Sequence, residues 1–149
     1  MLSNTFFRLF EADLNKLKAE IRLYTNEENV WAIKGEIRNS AGNLCLHIAG
    51  SLSYLIGTVL GQSAYIRKKE EEFTIKYISR QDLLNRIDEA LEEVRKQLRH
   101  LTDEELKKDY PIPFGNQTET VGLVITYLIS HVAYHVGQVS YHRRLVDMA

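Results

Sequence analysis

Cysteine and proline are scarce in this sequence of 149 residues. The one cysteine, Cys45, excludes an intrachain disulfide and argues against a cysteine-based zinc site. The only prolines, Pro111 and Pro113, lie two residues apart, so the rest of the chain is free to form long helices. The sequence also lacks a P-loop and a G-x-S-x-G motif, which argues against the enzyme classes that those motifs identify.

An excess of charge of either sign is also missing. The chain has 19 basic and 20 acidic residues and a formal net charge of −1, which argues against a general nucleic-acid binder. Its first residues lack the basic start of a signal peptide, and its longest apolar stretch is short for a bilayer span. With 44% hydrophobic residues, the chain is expected to form one compact domain over residues 1–149. We therefore expect a cytoplasmic protein with no membrane or nucleic-acid partner.

Apolar residues recur at three- and four-residue steps in four segments, which predicts four helices. These helices are expected over about residues 3–24, 40–61, 80–101 and 116–145. The last is expected to begin at Asn116, with Glu119 completing a capping box. Four long amphipathic helices joined by modest loops predict an all-α protein, a four-helix bundle. The charge run RKKEEE, before the third helix, is typical of a solvated connector or a frayed helix end.

Three histidines stand out because they lie in the two most apolar predicted helices. His47 lies in the second helix, and His131 and His135 lie in the fourth. A buried imidazole must find hydrogen-bond partners or a metal. His131 and His135 are four residues apart and share one helix face, a spacing at which two imidazoles can bind one cation. His47 belongs to a polar stripe on an otherwise aliphatic helix, formed by Ser40, Asn43, His47, Ser51, Tyr54 and Thr58.

The two polar faces are expected to meet inside the bundle, which would bring the three histidines together. Three histidines without a fourth protein ligand make an open metal site, the arrangement that catalytic zinc sites use. Neutral imidazoles suit one divalent ion, and we favour zinc or nickel. Spacing and burial alone leave a second interpretation open, in which the histidines are hydrogen-bonded core residues.

Two known metalloenzyme motifs are missing from the sequence, which argues against the types of metal site that they identify. Val132 follows His131, so the glutamate of H-E-x-x-H is missing. No histidine has a glutamate three residues before it, as ferritin-like di-iron sites require. No carboxylate is evident in either polar stripe, so a bound metal is expected to do most of the activation. The candidates for orienting ligands or binding substrate are Asn43, Ser51 and Gln138.

Other polar residues have weaker functional interpretations. The candidates for lining a pocket are Tyr54, Tyr127 and His142. Arg143 and Arg144 could hold an acidic thiol. Their position at a helix C-terminus, where positive charge is stabilising, is the preferred explanation for them.

Two segments resemble the DinB-like superfamily of metal-binding proteins. They are NSAGNLCLHIAGSLSYLIG, which contains His47, and TETVGLVITYLISHVAYHVGQVSYHRRL, which contains the H-x-x-x-H-x-G-Q run from His131 to Gln138. The order of the helices and the total length also agree, so the resemblance covers nearly the whole chain. One difference is that Tyr134 stands where members often carry the first of two adjacent histidines, a position that is not usually a ligand.

The resemblance implies a four-helix bundle with an up-down-down-up arrangement, and a homodimer. It implies one divalent metal ion, held by His47, His131 and His135. Characterised relatives include thiol-dependent S-transferases and a thiol-dependent maleylpyruvate isomerase, and others are described as metal-dependent hydrolases. The implied function is activation of a low-molecular-weight thiol or of water toward a small-molecule substrate. The alternative is a non-enzymatic dimeric bundle with a structural or vestigial metal, acting in a stress response through a protein partner.

Overall fold

The computed structural model of the protein describes residues 1–148, which form helices and no strand. Four long helices are joined by loops that contain two short helices and one 3-10 turn, Glu27–Trp31. In chain order the helices are α1 (Leu2–Leu23), α2 (Ala41–Leu52), α3 (Lys69–Thr74), α4 (Arg80–Leu98), α5 (Asp103–Leu106) and α6 (Val121–Val146). The predicted all-α four-helix bundle is confirmed, with α1, α2, α4 and α6 as its long helices. No helix among the described residues is long and apolar enough to cross a membrane.

Each long helix packs mainly against two others. α1 and α2 each lie between α4 and α6, so α1 sits diagonally opposite α2, and α4 sits diagonally opposite α6. Arg80, at the start of α4, donates hydrogen bonds to the carbonyls of Arg22 and Tyr24 at the end of α1, so these two helices are antiparallel. Arg143 and Glu20, near the ends of α6 and α1, form an ion pair at 2.6 Å, so α1 and α6 are parallel.

The direction of α2 is fixed by contacts at both of its ends. Leu44, near its start, shares a cavity with Leu145 at the end of α6. The carbonyl of Leu55, beyond its other end, accepts a hydrogen bond from Tyr110 in the loop that precedes α6. α2 therefore runs antiparallel to α6, and the four long helices run up, down, down and up. This orientation places the middle of α2 opposite the middle of α6.

The core follows the three- and four-residue periodicity of the sequence. In α1 the fully buried apolar side chains are Phe10, Leu14, Leu17 and Ile21. In α4 they recur in the same way, and the polar residues between them face outward. Burying one such side chain stabilises the fold by about 1.5–3 kcal/mol, so this stripe holds the bundle together.

The start of α6 differs from the prediction. The helix begins at Val121, and Thr120 caps it by accepting a hydrogen bond from the backbone N–H of Leu123 at 3.1 Å. Asn116 lies outside the helix, in a turn that a pair of backbone bonds between Phe114 and Gln117 closes. The predicted capping box at Asn116 is therefore wrong. The helix does not begin earlier because the backbone at Thr120 is extended (φ −76°, ψ 154°), a conformation that suits the N-cap residue but not a residue inside a helix.

The predicted second helix is regular over only part of its range. After Leu52 the backbone widens into a π-helix, Ser53–Thr58, in which the N–H of Val59 donates to the carbonyl of Tyr54. Such wide turns are rare and short in proteins and are often found near functional sites. Here the π-helix lies directly after the helical turns that carry His47.

Candidate metal centre

His47, His131 and His135 meet between α2 and α6. One nitrogen from each ring lies within 4.8 Å of the others. The Nε2 atom of His131 is 3.2 Å from that of His47 and 3.1 Å from that of His135. The three predicted ligand residues are thus brought together with their Nε2 atoms converging on one point, as a site for a metal ion requires.

The far nitrogens of two rings are held by hydrogen bonds. His47 Nδ1 lies 3.1 Å from the carboxylate of Glu72, and His135 Nδ1 lies 2.6 Å from the side-chain oxygen of Gln138. Because both partners are acceptors, each Nδ1 carries the proton and donates. The Nε2 atoms of His47 and His135 therefore present lone pairs to the centre of the cluster.

His131 completes the donor set. Burial, together with the nearby rings of His135 and His47, lowers the pKa of His131 to about 4. Burial also lowers the pKa of His135, so both rings are neutral near pH 7, the form that binds metals. Within residues 1–148, the buried Nδ1 of His131 has no hydrogen-bond partner. Converging neutral imidazole nitrogens with lone pairs facing each other fit a divalent cation, which would satisfy them together.

Glu72 is the functional residue that sequence reasoning missed. It belongs to the run RKKEEE, but its side chain is only 6% exposed, so the prediction of a solvated connector is wrong at this position. Arg67 donates to both of its carboxylate oxygens, at 2.9 and 3.0 Å. Burial raises the pKa of Glu72, but the hydrogen bonds from His47 and Arg67 outweigh that effect and lower it. Glu72 is therefore an ionised acceptor for His47, and this carboxylate comes from α3, outside the two polar stripes.

Two predicted site residues support Glu72 and do not touch the histidines. The side-chain amide of Asn43 donates to the carbonyls of Glu72 and Ile75, at 2.9 and 2.8 Å, and so holds the end of α3 against α2. Ser51 accepts a hydrogen bond from Arg67 at 3.0 Å. Of the polar stripe on α2, only His47 therefore reaches the other histidines, while Asn43 contacts α3 and Ser51 contacts the loop before it.

Gly50 makes room for the carboxylate. A Cβ atom built on Gly50 would overlap the carboxylate of Glu72. Any larger residue at this position would have to push Glu72 away from α2 and from His47. A glycine within a helix lowers its stability by about 1 kcal/mol relative to alanine, so the close approach of Glu72 explains a position that helix propensity disfavours.

Aromatic rings form the walls of the cluster. Tyr127, a predicted lining residue, stacks on His131 with ring centroids 5.8 Å apart and an angle of 20° between the planes. Phe73 from α3 lies 4.9 Å from the ring of His47, and Tyr134 lies 5.3 Å from that of His135. Tyr54, the other predicted tyrosine, makes no ring contact with the three histidines in the described part of the chain.

His142, a predicted lining residue, is not part of the cluster, but it lines a cavity between the loop of residues 34–39 and α6 that Gln138 also lines. It is buried two turns further along α6, where Tyr24 lies 2.6 Å from its Nδ1 atom and the carbonyl of Ala32 lies 2.8 Å from its Nε2 atom. Since a carbonyl only accepts, Nε2 carries the proton and Nδ1 accepts from the tyrosine hydroxyl. His142 therefore links the end of α1 and the loop that follows it to α6 through two hydrogen bonds.

The change Tyr24→Phe tests this structural role. It removes the hydroxyl that satisfies a buried nitrogen of His142, so we expect the free energy of unfolding to fall by about 1–3 kcal/mol. The affinity for a divalent ion should not change, because neither residue contacts the cluster. Urea unfolding and a metal titration of the same variant measure the two effects. Unchanged stability, or weakened metal binding, would contradict this assignment.

The two arginines at the end of α6 are engaged elsewhere. Arg143 forms the ion pair with Glu20 on α1, and the guanidinium of Arg144 lies 5.8 Å from the ring centre of Tyr141. The interpretation of both as residues of a helix C-terminus agrees with these contacts.

A cavity of about 730 Å³ lies next to Gln138, the partner of His135, and the three clustered histidines do not line it. It lies between the loop of residues 34–39 and α6, and Gln138 belongs to both the cavity wall and the histidine cluster. Its apolar walls come from Ile37, Leu44, Tyr141 and Leu145. The exposed charged residues at its edge are Lys34, Glu36 and Arg38. The size is that of a site for a small organic molecule.

Comparisons with known proteins agree with this fold. The family profile described as "Protein of unknown function (DUF1572)" matches residues 5–149. A crystal structure titled as that of a conserved protein from Enterococcus faecalis is similar to this chain with a TM-score of 0.78. The match has 15% sequence identity and covers 98% of this chain and 97% of that one, so it supports the fold alone. Nothing among the curated proteins matches the chain.

Proposed function

The chain belongs to the DUF1572 family, and we propose that it is a metal-dependent enzyme in which His47, His131 and His135 hold one divalent ion, zinc or nickel. The observation that carries this proposal is the convergence of the Nε2 atoms of three imidazoles. Two of them are held in a ligating tautomer by Glu72 and Gln138. In a core held only by hydrogen bonds, the single N–H of His131 would have to serve the lone pairs of both other rings, whereas a divalent ion accepts a lone pair from each ring.

Three protein ligands leave room in the coordination sphere for a further molecule. A bound divalent ion supplies positive charge that lowers the pKa of a thiol or a water molecule beside it. The chain's own contribution is orientation, because Glu72 and Gln138 fix two of the rings. Glu72 is ionised and already accepts three hydrogen bonds, so it is placed to position His47 and not to donate a proton.

The reaction we propose is thiol-dependent transfer to a small electrophilic molecule, with hydrolysis as the related possibility. The resemblance of the His47 segment and of the H-x-x-x-H-x-G-Q run to the DinB-like superfamily supports the thiol. The cavity beside Gln138 supports a small substrate, since its volume of about 730 Å³ suits one. Lys34, Glu36 and Arg38 at its edge together carry one net positive charge, which would favour, though weakly, a substrate or thiol that carries a carboxylate.

Metal analysis followed by an activity screen tests the proposal. Untagged protein purified without chelator is expected to contain one zinc or nickel ion per chain by elemental analysis. The loaded protein is then incubated with low-molecular-weight thiols and reactive electrophiles, and thioether formation is measured by mass spectrometry. The control is the same protein after chelation, which should lose turnover and regain it with added metal. Protein that binds no metal, even with zinc or nickel added, would overturn the proposal. Metal without turnover of thiols or of hydrolysable esters would favour the non-enzymatic bundle.

A further inference from the structure

A second cavity, of about 360 Å³, lies between α2, α4 and the segment that contains α3. Ligand sites commonly enclose about 300–1,000 Å³, so this cavity has the size of a site for a small molecule. Leu46 and Ala49 on α2 and Ile75 directly after α3 supply apolar walls. None of the three clustered histidines lines this cavity, so it is separate from the metal centre.

Glu72 connects the second cavity with the metal centre. Its carboxylate accepts the hydrogen bond from Nδ1 of His47, and the same residue lines the cavity together with Gly50. Ser53, which begins the π-helix and is only 9% exposed, also belongs to the wall. A molecule in the cavity would therefore lie against the residue that orients His47.

The cavity is lined by charged side chains of both signs, namely Lys68, Glu71, Glu72, Arg86 and Glu89. Three of these charges are compensated within the segment that contains α3. Lys68 and Glu71 form an ion pair at 3.9 Å. Glu72 is paired with Arg67 at 2.9 Å. The two charged residues that remain are those on α4.

Arg86 and Glu89 are free to bind a ligand. They lie three residues apart on α4, so they share one face of the helix. Neither forms an ion pair within residues 1–148. A guanidinium can donate two parallel hydrogen bonds to a carboxylate, and a carboxylate accepts from an ammonium group. The two side chains together therefore match a molecule that carries one carboxylate and one ammonium group.

We propose that this cavity binds a free α-amino acid with an apolar side chain. The carboxylate of the amino acid lies against Arg86, and its ammonium group lies against Glu89. Its side chain packs on Leu46, Ala49 and Ile75. A ligand with a single charge would leave one of the two α4 side chains without a partner. The binding site does not depend on the proposed function, because it uses none of the metal ligands.

The position of Glu72 adds an effect on the metal centre, and this part rests on the proposed function. A bound apolar side chain excludes water from the wall that Glu72 shares with Gly50. A hydrogen bond strengthens as its surroundings become less polar, so Glu72 then holds the ring of His47 more firmly. The amino acid therefore raises the affinity for a divalent ion. By linkage, the ion raises the affinity for the amino acid by the same factor.

Calorimetric titration of the full chain with L-leucine tests the binding site. We expect one leucine to bind per chain with a dissociation constant of about 1 mM or below. Isocaproate and isoamylamine, which each lack one of the two charges of leucine, should bind about 10-fold more weakly or worse. Protein that does not bind leucine, or that binds the two analogues equally well, would overturn the proposal.

Variants on α4 test the location and the orientation of the ligand. Arg86→Gln should weaken leucine binding by about 10-fold or more. The matched control is Arg99→Gln, an exposed arginine directly after α4, which should bind leucine as the wild-type protein does. Glu89→Gln should weaken the binding of leucine but not that of isocaproate, because only leucine carries an ammonium group. Wild-type affinity for leucine in Arg86→Gln would overturn the site.

Zinc affinity, measured by chelator competition with and without saturating leucine, tests the link through Glu72. We expect leucine to raise the affinity of the wild-type protein by about 5-fold or more. Arg86→Gln should show no such rise, and it controls for zinc that leucine binds in solution. Equal zinc affinity with and without bound leucine would overturn the link. A protein that binds leucine but no zinc would support the amino-acid site and overturn the proposed function.

Discussion

Replacing His131 by alanine is expected to abolish tight binding of a divalent ion. The Nε2 atom of His131 lies between those of His47 and His135, so its loss removes the central member of the donor set. Loss of a residue that only supports a metal ligand costs about 10–100-fold in affinity, and loss of a ligand itself should exceed that range. Helix content should be preserved, because the ring is half-buried at the edge of the core and its Nδ1 atom makes no hydrogen bond within the described residues. Calorimetric titration with zinc, together with circular dichroism, measures both properties.

His100→Ala is the matched control for this change. His100 is exposed beyond the end of α4, so its removal lowers the number of histidines without altering the cluster. Its affinity for zinc should equal that of the wild-type protein. If His131→Ala bound zinc as tightly as His100→Ala, the three histidines would not be the ligand set.

The fold and the meeting of the histidines could be predicted because both follow from helix periodicity. The apolar steps in α1 and α4 fix which faces are buried, and the two polar faces of α2 and α6 had no better place than against each other. The start of α6 could not be predicted in the same way. Asn116 and Thr120 are both good caps, and the choice depends on the hairpin-like loop before α6, in which Tyr110 pairs with Glu119 and the turn of Phe114 and Gln117 encloses Asn116.

The part of the site that the sequence did not predict is Glu72, and its segment has the composition of a solvated connector. RKKEEE has the charge of a solvated run, and nothing in its spacing distinguishes Glu72 from its two neighbours. Glu72 is buried because Arg67 neutralises it and Asn43 anchors the backbone beside it. One signal was present in the sequence: Gly50 lies three residues after His47 in an apolar helix, and a glycine there indicates that something packs closely against that face. What packs there could be learned only from the structure.

Glu72→Gln is expected to weaken divalent metal binding by about 10–100-fold. The carboxylate accepts the Nδ1 proton of His47, which fixes the ring and makes its Nε2 atom a better donor to a cation. The amide of glutamine retains the shape but loses the negative charge that strengthens both effects. Zinc affinity measured by competition with a chelator gives the change. The control is Glu71→Gln, the adjacent residue in the same charge run, which is 53% exposed and should bind zinc as the wild-type protein does.

Gly50→Ala separates the position of the carboxylate from its charge. Glu72→Gln leaves the largely buried guanidinium of Arg67 without its counter-charge, so part of its effect could arise from lost stability. Gly50→Ala keeps both charges and adds a methyl group where the carboxylate now lies, so it must displace Glu72 from His47. Alanine also stabilises a helix by about 1 kcal/mol relative to glycine, which offsets the cost of crowding. We therefore expect zinc affinity to fall in both variants and unfolding by urea to shift mainly in Glu72→Gln. Wild-type affinity in both would mean that His47 does not need Glu72 to bind a metal ion.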